Sequence, residues 1–391
     1  MDVCIIRNAE VETNASVIRI IDALLGIDVV PITLSRSRLR KSLNEKIKVK
    51  TFMHKTDEIP NYEIQIPTDR GRGLINIFQL VNYQITVFLW LMKNRRKYDI
   101  LHAFDLDAGI PAVLGAKLLN KKIVYHIADF YADSRKGIPN SFKKLVSFLE
   151  FKLINSSDAT IICTDERKEQ IKGSNPRRLH VIYNTPIHDF EDNVGNNTIV
   201  INKDSIVLCY VGTLAETRFI KQILDIVKRR PEITLNIAGI GPLENYVSNT
   251  AKYIDNVNYF GELKYDDALK LYSRCDLMFA MYDPNIANHK YSAPNKIYEA
   301  MMLEKPIIVA KGTGIDKIVE REKIGFTINY NEKSFEELLN KIVTNKKVLD
   351  EVRLRMRDVY PKFSWDSMKK RIHKIYSEID ESTNLKENLS D

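Results

Sequence analysis

The stretch at 291–309 reads YSAPNKIYEAMMLEKPIIV and combines a helix start, an apolar helix face and a β-strand. Ser292 and Pro294 are residue types that favour the first positions of a helix. Lys305 and Pro306 end the helical pattern, and the β-branched run after them predicts a strand. A helix that leads directly into a buried strand is typical of a parallel α/β domain.

Two charged residues of this helix suggest a ligand. Lys296 is predicted in the first turn, where a cation opposes the helix dipole at a cost of about 0.3–1 kcal/mol unless an anion binds there. A nucleoside diphosphate is the natural candidate for that anion. Glu299 lies one turn further on, where a carboxylate could accept hydrogen bonds from two ribose hydroxyls. A solvated Lys–Glu pair explains the spacing equally well.

The composition limits the class of protein. The chain has 391 residues, of which 44% are hydrophobic and 28% charged, so it is long and apolar enough for two globular domains. Its formal charge of +8 favours an anionic partner. The start of the chain lacks the pattern of a signal peptide, and the cysteines stand far apart in mostly apolar runs, which predicts core thiols in a cytoplasmic protein. These cysteines are Cys4, Cys163, Cys209 and Cys275.

Short β-branched runs alternate with helical stretches along the chain, which predicts two parallel α/β domains. Residues 1–186 form the first predicted domain, and the polar residues 187–204 form a linker or hinge. Residues 205–361 form the second domain, residues 362–380 a terminal helix, and residues 381–391 a polar tail. Because ligands bind beyond the carboxyl ends of parallel strands, we expect the two domains to face each other across a cleft.

The order of motifs in the second half resembles the family four glycosyltransferases of the GT-B fold. In that family a Glu, seven residues and a second Glu precede a small-residue helix and a Lys/Thr-Pro-Val/Ile strand. The segments CYVGTLAETRFIKQILD, LNIAGIGPLENYV and GTGIDKIVEREKIGFTI resemble neighbouring family motifs in the same order. The resemblance implies two Rossmann-like domains with the C-terminal helix returning to the first. It also implies a retaining, metal-independent transfer from a nucleoside diphosphate sugar, with no further cofactor.

The resemblance places a donor site in the second domain. It implies that Glu299 binds the ribose. The family's later Lys is not in register here, so Arg218 is the nearest cation to replace the family's basic residues at the diphosphate, which the helix start places next to Lys296. A surface arginine at a helix start is the competing interpretation of Arg218. The other donor-binding candidates are Gly212, Thr213, Gly239, Gly241, Tyr291, Ser292, Ala293, Pro294 and Asn295.

Two departures from the family pattern bear on this site. Tyr291 stands where the family has its first Glu, and Gly212-Thr213 replaces the family's Gly-Arg. The sugar hydroxyls are therefore expected to bind the backbone amides of residues 293–295, or a polar loop that contains Asp283 and Asn288.

The first domain offers fewer candidates. The loop RNAEVETNAS occupies the place of the family's glycine-rich acceptor loop but contains no glycine. Arg7, Asn8 and Asn14 are its candidates for binding the acceptor or a donor phosphate, although a helix cap explains Asn14 equally well. KIVYHIADFYAD resembles the segment that lines the catalytic side of the family's cleft, so His126 and Asp129 are catalytic candidates. A lone histidine in an apolar run is more often a core residue.

Two further segments raise the possibility of membrane contact. Residues 73–92 carry no charge and precede KNRRK at 93–97, but four Asn and Gln side chains favour a core helix over a membrane span. Residues 135–154 form a basic amphipathic helix, which suits core packing or docking on an anionic bilayer at the inner face of the membrane. Arg70 and Arg72 would add to the same basic face.

The sequence thus predicts a retaining glycosyltransferase, with UDP-sugars as the favoured donors. The expected acceptor is a hydroxyl of a glycan or lipid-linked molecule in cell-surface polysaccharide or glycoconjugate synthesis. The alternatives are a nucleotide-sugar epimerase of the GT-B type and a catalytically weak homologue that binds a membrane surface or a partner. No metal-ligand spacing or dinucleotide fingerprint is present, and the basic residues lack the aromatic interleaving of a nucleic-acid-binding module.

Overall fold

The computed structural model describes residues 1–38, 46–67, 73–134, 140–187, 205–291 and 293–387. The chain forms two compact units, one made of Met1–Tyr183 with Met368–Asp391 and the other of Asn184–Ser367. We call them the N-terminal unit and the C-terminal unit. The predicted linker at 187–204 lies, except for its first residue, outside the described residues.

The N-terminal unit contains an eight-stranded sheet in the order β3-β4-β2-β1-β5-β6-β7-β8. Its strands are β1 (Val3–Ile6), β2 (Ile32–Ser37), β3 (Ile47–His54), β4 (Asp57–Gln65), β5 (Ile100–Phe104), β6 (Lys122–Ile127), β7 (Ala159–Ile162) and β8 (Leu179–Val181). Its first six helices are α1 (Ala15–Leu25), α2 (Gly73–Lys93), α3 (Asp105–Leu119), α4 (Tyr131–Ser134), α5 (Asn140–Ser156) and α6 (Arg167–Gln170). The predicted strands of this half are present, β2 starting four residues later than its predicted segment DVVPITL.

One strand departs from the predicted parallel sheet. β3 pairs antiparallel with β4, and Lys55, at φ 54°, stands in the turn between them. Every other strand pair of this sheet is parallel among the residues described. The sequence analysis did not predict this hairpin, although Ile47-Lys48-Val49-Lys50 alternates apolar and charged residues as a half-buried strand does.

The uncharged helix α2 has two different faces. Its inner face is core, because Tyr83, Val87 and Leu91 have no exposed surface. The opposite face carries an exposed apolar row at a spacing of four residues: Ile77, Val81, Ile85 and Leu89. The core-helix prediction is therefore confirmed for one face only. Within the described ranges, no helix combines the length and the hydropathy needed to cross a membrane.

The C-terminal unit contains a six-stranded parallel sheet in the order β11-β10-β9-β12-β13-β14. Its strands, all of them predicted, are β9 (Ile206–Val211), β10 (Ile233–Ala238), β11 (Val257–Tyr259), β12 (Leu277–Ala280), β13 (Ile307–Ala310) and β14 (Gly325–Ile328). Its helices are α7 (Ile220–Lys228), α8 (Glu244–Ala251), α9 (Tyr265–Ser273), α10 (Lys296–Met302), α11 (Ile315–Glu322), α12 (Glu332–Thr344) and α13 (Lys347–Val359).

The terminal helix α14 (Trp365–Glu387) leaves the C-terminal unit and packs in the N-terminal unit. Met368, Ile372 and Tyr376 are fully buried, as their helical spacing predicts. The His373 ring is 2.7 Å from the carbonyl oxygen of Ala23 in α1, which fixes the helix against the unit's first helix. The helix runs to Glu387, so most of the predicted polar tail at 381–391 is helical.

The four cysteines are buried and free, as their apolar surroundings predict. Burial raises the pKa of the Cys4 and Cys163 thiols, so both stay protonated at neutral pH. They act as small apolar core residues in the N-terminal unit.

Candidate functional site

In the C-terminal unit, a lysine and a glycine meet at the carboxyl end of the sheet. Gly212 follows β9 with φ 150°, and a Cβ added there would lie 2.7 Å from Nζ of Lys296. The Lys296 ammonium also lies 5.0 Å from the centre of the Tyr210 ring. The missing side chain of Gly212 therefore lets a cation approach bare backbone, which is the arrangement that phosphate-binding loops use.

Gly239 and Gly241 make the same end of the sheet compact. Gly239 follows β10 with φ 131°, and any Cβ there would overlap the carbonyl oxygen of Gly212. A Cβ on Gly241 would lie 2.5 Å from the carbonyl oxygen of Leu214. The two predicted glycine turns thus touch each other backbone to backbone, and Gly239 supports the position of Gly212.

A cavity of about 440 Å³ opens beside these turns within the C-terminal unit. Lys296 and Glu299 line it with Tyr272, Tyr282 and Asn295. Its other lining residues are Val211, Leu263, Tyr265, Ala268, Leu269 and Pro294. Glu299 is 5% exposed, and its charge is one of the causes that raise the pKa of the Tyr272 hydroxyl, after burial. The cavity combines an apolar, aromatic wall with one cation and one carboxylate, as a nucleotide site requires.

Arg218 is held beside Tyr282 rather than lying free on the surface. Its guanidinium lies 3.9 Å from the centre of the Tyr282 ring and donates a hydrogen bond to Nε2 of His289, at 3.2 Å. Because arginine only donates, Nδ1 of His289 carries the proton and donates to the carbonyl oxygen of Asp283, at 2.8 Å. The cation is thus positioned by an aromatic face and a fixed imidazole.

The predicted start of the signature helix is wrong by several residues. The helix α10 begins at Lys296 with Asn295 as its N-cap residue, and no side chain caps it. The backbone nitrogen of Tyr298 donates to the carbonyl oxygen of Asn295 and not to that of Pro294, so the helical hydrogen bonds begin at Asn295. Lys296 still lies in the first turn, as predicted. Ser292 lies outside the described residues.

The other donor candidates lie around these groups. Tyr291 ends a short 3-10 turn and is half-buried, and the carbonyl of Ala293 accepts a hydrogen bond from the Asn184 amide at 2.8 Å. Thr213 is exposed, and its carbonyl accepts from the Tyr210 hydroxyl. Within the polar loop, the Asp283 carboxylate accepts from the backbone and side-chain nitrogens of Asn285, and the Asn288 side chain lies outside the described set.

In the N-terminal unit, Arg7 and Asp129 meet at one half-buried carboxylate. Asp105 forms an ion pair with Arg7 at 3.1 Å and accepts hydrogen bonds from the backbone nitrogens of Ala128 and Asp129. Burial raises the pKa of Asp105, against the opposing effect of Arg7 and these hydrogen bonds. The Asp129 side chain itself is 58% exposed. Two predicted site residues are therefore linked through a residue that the sequence analysis did not single out.

The other two candidates of the first loop have structural partners. Asn8 donates to Asp107 at 2.7 Å and accepts from Arg36 at 3.1 Å. Asn14 is the N-cap of α1, and its side-chain oxygen accepts from the backbone nitrogen of Val17. The structure thus gives Asn14 the capping role that its sequence position also allowed.

His126 stands at the end of a buried hydrogen-bonded chain. Nδ1 of His126 lies 3.1 Å from Nε2 of His102, and Nδ1 of His102 lies 2.7 Å from the hydroxyl of Tyr376 in α14. The buried hydroxyl has no other hydrogen-bond partner among the described residues, so it donates to His102. His102 then donates to His126, which leaves Nε2 as the proton-bearing nitrogen of His126.

The imidazoles of His102 and His126 are both neutral at ordinary pH. Burial lowers the pKa of His102 to about 3. Burial also holds the pKa of His126 well below its ordinary value, and the positive charges of Arg7, Arg19 and Arg167 act in the same direction, as does repulsion from His102 whenever that ring is protonated. His126 is 4% exposed, so it is a core histidine by burial with a fixed hydrogen-bond donor. No sequence pattern predicts the hydrogen bonds that join Tyr376, His102 and His126, because His102 and Tyr376 lie in apolar runs.

No cluster of three or more His, Cys, Asp and Glu side chains arranged for a metal ion occurs in the part of the chain that the structure describes. Among the described histidines, His102 and His126 bond to each other, His289 and His373 to backbone carbonyls, and His54 and His180 lie next to the carboxylates of Asp22 and Glu378.

Family models match both halves of the chain. Residues 37–185 match the model described as Glycosyltransferase Family 4, and residues 196–359 match Glycosyl transferases group 1. Together the two models cover most of both units, in the order that the sequence motifs predict. The chain belongs to the family four glycosyltransferases of the GT-B type.

Individual proteins agree with this class. An uncharacterised glycosyltransferase of Methanocaldococcus jannaschii is 22% identical over 303 residues, which cover 72% of this chain and 75% of the relative. Sucrose-phosphate synthase of Thermosynechococcus elongatus superposes with a TM-score of 0.73 at 12% identity, over 98% of this chain and 100% of the other. HepE of Anabaena, solved with UDP, gives a TM-score of 0.67 at 15% identity, over 97% and 100%. These structures confirm the GT-B fold.

Proposed function

We propose that the protein is a retaining glycosyltransferase that moves a sugar from a UDP-sugar to a hydroxyl of a glycan or lipid-linked acceptor. The observation that carries the proposal is the approach of the Lys296 ammonium to Gly212, with Glu299 lining the same cavity. A cation against bare backbone suits a diphosphate, and a carboxylate one helical turn away suits a ribose. The UDP and UDP-glucose complexes of HepE, which has the same fold, support a uridine nucleotide.

The catalytic contribution of the C-terminal unit is electrostatic. Negative charge accumulates on the diphosphate as it leaves, so Lys296 and Arg218 stabilise the transition state more than the ground state. The ring of Tyr282 and the imidazole of His289 hold Arg218 in place, which lowers the reorganisation needed when charge develops. The acceptor hydroxyl attacks the face that the diphosphate vacates, and a donor phosphate oxygen takes its proton. No metal ion, separate cofactor or protein nucleophile takes part.

The test begins with equilibrium binding of UDP, GDP and ADP by calorimetry. We expect UDP to bind the wild type, and we expect Glu299→Ala to weaken binding by at least about 100-fold, since two hydrogen bonds to a charged group contribute about 1.5–3 kcal/mol each. Glu351→Ala, an exposed glutamate of α13, is the matched control and should bind normally. Absence of binding by every diphosphate, or equal binding by Glu299→Ala, would refute the donor site.

Analysis of the reaction products then distinguishes sugar transfer from epimerisation of the donor. The UDP-sugar that binds is incubated with and without glycan acceptors, in the presence of EDTA. The proposal expects an acceptor-dependent product whose new bond keeps the anomeric configuration of the donor, as read by NMR. An epimer of the donor formed without acceptor would identify an epimerase, and a requirement for divalent cations would contradict metal independence.

A lipid-linked acceptor is favoured by an exposed apolar face on the N-terminal unit. Helix α3 packs against α2 and also contacts α5, and all three expose large apolar side chains. We call this set the outer face: Ile77, Phe78, Val81, Ile85, Leu89, Leu114, Leu118, Phe142, Leu145, Phe148 and Leu149. Scattered exposed apolar residues are normal, whereas a contiguous set on adjacent helices indicates an interaction surface.

The charges around the outer face support an anionic bilayer as its proposed partner. Lys117, Lys144 and Lys152 are exposed on α3 and α5, and basic residues at 93–97 follow α2. The one glutamate of α5, Glu150, is fully buried. Basic side chains around bulky apolar residues are typical of helices that dock on anionic lipid.

Vesicle co-sedimentation tests the outer face. The wild type should bind vesicles of phosphatidylcholine with 30% phosphatidylglycerol and bind pure phosphatidylcholine far less. Phe142→Glu with Phe148→Glu should abolish binding, while Leu354→Glu, at an exposed leucine of the C-terminal unit, should leave it unchanged. Self-association of the wild type that this double variant removes, without any vesicle binding, would assign the face to a second copy of the chain instead.

A further inference from the structure

A buried arginine lies beside the predicted catalytic residues without adequate partners. Arg167 begins α6, just after β7, and is 4% exposed. Its Nε and Nη1 are buried and make no hydrogen bond to any described residue. Its Nη2 is 3.8 Å from the carboxylate of Asp129, beyond hydrogen-bond distance, and that side chain is mostly exposed. Leaving such donors unsatisfied is costly, so the guanidinium requires an acceptor.

Two more unsatisfied donors belong to the same end of the sheet. Thr164 lies one turn before Arg167, is 7% exposed, and its buried hydroxyl has no partner within the described residues. Nη1 of Arg7 forms the ion pair with Asp105 but makes no hydrogen bond of acceptable geometry there. Among the described residues, no acceptor in acceptable geometry is available for these hydrogen-bond donors of Thr164, Arg167 and Arg7.

The fold brings these groups together at the carboxyl ends of adjacent parallel strands. Arg7 follows β1, Asp105 follows β5, Asp129 follows β6 and Arg167 follows β7, and these strands are neighbours in the sheet. Asp105 contacts Arg7 and accepts a hydrogen bond from the backbone nitrogen of Asp129. The Asp129 carboxylate in turn lies 3.8 Å from Arg167. This edge is where ligands of open α/β sheets bind.

We propose that Arg167 and Thr164, together with Arg7, form a binding site for an oxyanion, a phosphoryl or carboxylate group, carried by the acceptor. A guanidinium donates two parallel hydrogen bonds to such a group, and a hydroxyl adds a third. His126, whose Nε2 carries a proton, adds a neutral donor near the same arginines. The assignment to the acceptor rests on the proposed transferase function, whereas the oxyanion site itself does not.

Calorimetric titration with inorganic phosphate tests the site. The full chain is first saturated with UDP, which fills the donor site, and ionic strength is kept constant with sodium chloride. We expect the wild type to bind phosphate, Arg167→Gln to bind at least tenfold more weakly, and Arg96→Gln, an exposed arginine after α2, to bind normally. A wild type that does not bind phosphate, or an Arg167→Gln variant that binds it equally, overturns the proposal.

Stability provides a second readout that does not depend on catalysis. In phosphate-free chloride buffer, Arg167→Met removes unsatisfied buried donors, so its thermal midpoint should rise by about 2–4 °C. Phosphate should raise the midpoint of the wild type and leave that of Arg167→Met unchanged. A fall in the midpoint of Arg167→Met would show that the guanidinium is satisfied inside the protein, which contradicts the site.

The source of the oxyanion is decided by two comparisons. A hexose monophosphate should bind the UDP-saturated wild type more tightly than phosphate or the free hexose, and equal affinities refute the assignment to the acceptor. UDP should bind Arg167→Gln normally and Glu299→Ala poorly, so the two sites fail independently. A loss of UDP binding in Arg167→Gln would show that Arg167 binds the diphosphate of the donor, and this result would overturn the proposal.

Discussion

The two units share a parallel sheet but differ in what lies at its carboxyl end. In the C-terminal unit, bare glycine backbone, one lysine and one buried glutamate surround a cavity. In the N-terminal unit, buried arginines, carboxylates and histidines interact with one another, and several of their donors stay unsatisfied. The first arrangement leaves space for a ligand by removing side chains. The second arrangement holds charged and polar side chains in a buried position, where their hydrogen-bonding groups can contact a ligand.

This difference determines how each site responds to change. A site made of glycine turns is sensitive to added volume, because its backbone segments touch. A site made of buried ionisable groups is sensitive to pH, because burial shifts the pKa of each group away from its unfolded value. The following predictions test that division, from the largest expected effect to the smallest.

The largest effect is expected from Gly239→Ala. The new Cβ would overlap the Gly212 carbonyl, so overpacking at about 1–3 kcal/mol adds to backbone strain at about 1–3 kcal/mol. Hydrogen exchange of β9 and β10 measures the loss of stability. Gly261→Ala is the control, since φ there is 67° but no atom lies within 4 Å of the new Cβ. Equal losses in the two variants would contradict the volume argument.

The N-terminal unit should be most stable near pH 6.5. Below that pH the unfolded chain protonates its histidines while the native chain does not, since the pKa of His102 is lowered to about 3, so stability falls as pH falls. Burial raises the pKa of Glu150 from its ordinary value of 4.5 to about 8, so its contribution to stability falls as pH rises between those two values. Below pH 6.5 the two buried histidines, His102 and His126, outweigh this effect, and above pH 6.5 stability falls. Each group contributes about 1.4 kcal/mol per pH unit within its window.

Glu150→Gln separates the two limbs of this pH dependence. The amide can still accept a hydrogen bond from the Tyr125 hydroxyl but cannot ionise, so the loss between pH 6.5 and 8 should disappear. The acid limb should remain. The measurement is urea denaturation at each pH, monitored by hydrogen exchange of β6 and α5. An unchanged loss of stability on the alkaline side would show that Glu150 is not its source.

Lys296→Met should weaken UDP binding about tenfold while leaving stability nearly unchanged. The substitution removes a charge-assisted contact to a phosphate but keeps a long apolar side chain beside Tyr210. Lys347→Met, at an exposed lysine that starts α13, should bind UDP as the wild type does. Unchanged affinity in Lys296→Met would remove the lysine from the donor site.

The smallest effect is expected from Tyr376→Phe. The variant leaves the buried Nδ1 of His102 without a donor, so the N-terminal unit should lose about 1 kcal/mol of stability. Turnover should also fall, because the proton position on His126 is no longer fixed. Tyr253→Phe, at a tyrosine 86% exposed, should stay within about 0.5 kcal/mol of the wild type. Normal turnover in Tyr376→Phe would exclude a role for the hydrogen-bonded chain in positioning His126.

The residues of the proposed donor site could be predicted from the sequence because they lie close together along the chain. Lys296 and Glu299 lie in one short helix, and the glycines directly follow strands with a clear apolar pattern. The strands of the C-terminal unit were predicted for the same reason. The helix start was misplaced because Ser292 and Pro294 satisfy the usual preferences, whereas the chain turns once more before Lys296.

The N-terminal site could not be read in the same way because its parts are far apart in sequence. Arg167 lies in TDERKEQ, which is typical of a solvated turn, and only the sheet brings it near Asp129. Tyr376 is indistinguishable from its apolar neighbours until its hydroxyl is placed 2.7 Å from His102. Tertiary contacts, rather than local pattern, define these groups.

The position of α14 also bears on the order in which the protein matures during synthesis. His102 and Tyr376 are separated by 274 residues, so during synthesis the N-terminal unit lacks α14 until the C-terminal unit has been made. Until then, the surface that Met368, Ile372 and Tyr376 later cover is open to chaperones and proteases. A nascent chain that stops before residue 365 therefore leaves this surface exposed, which couples synthesis of the C-terminal unit to completion of the N-terminal core.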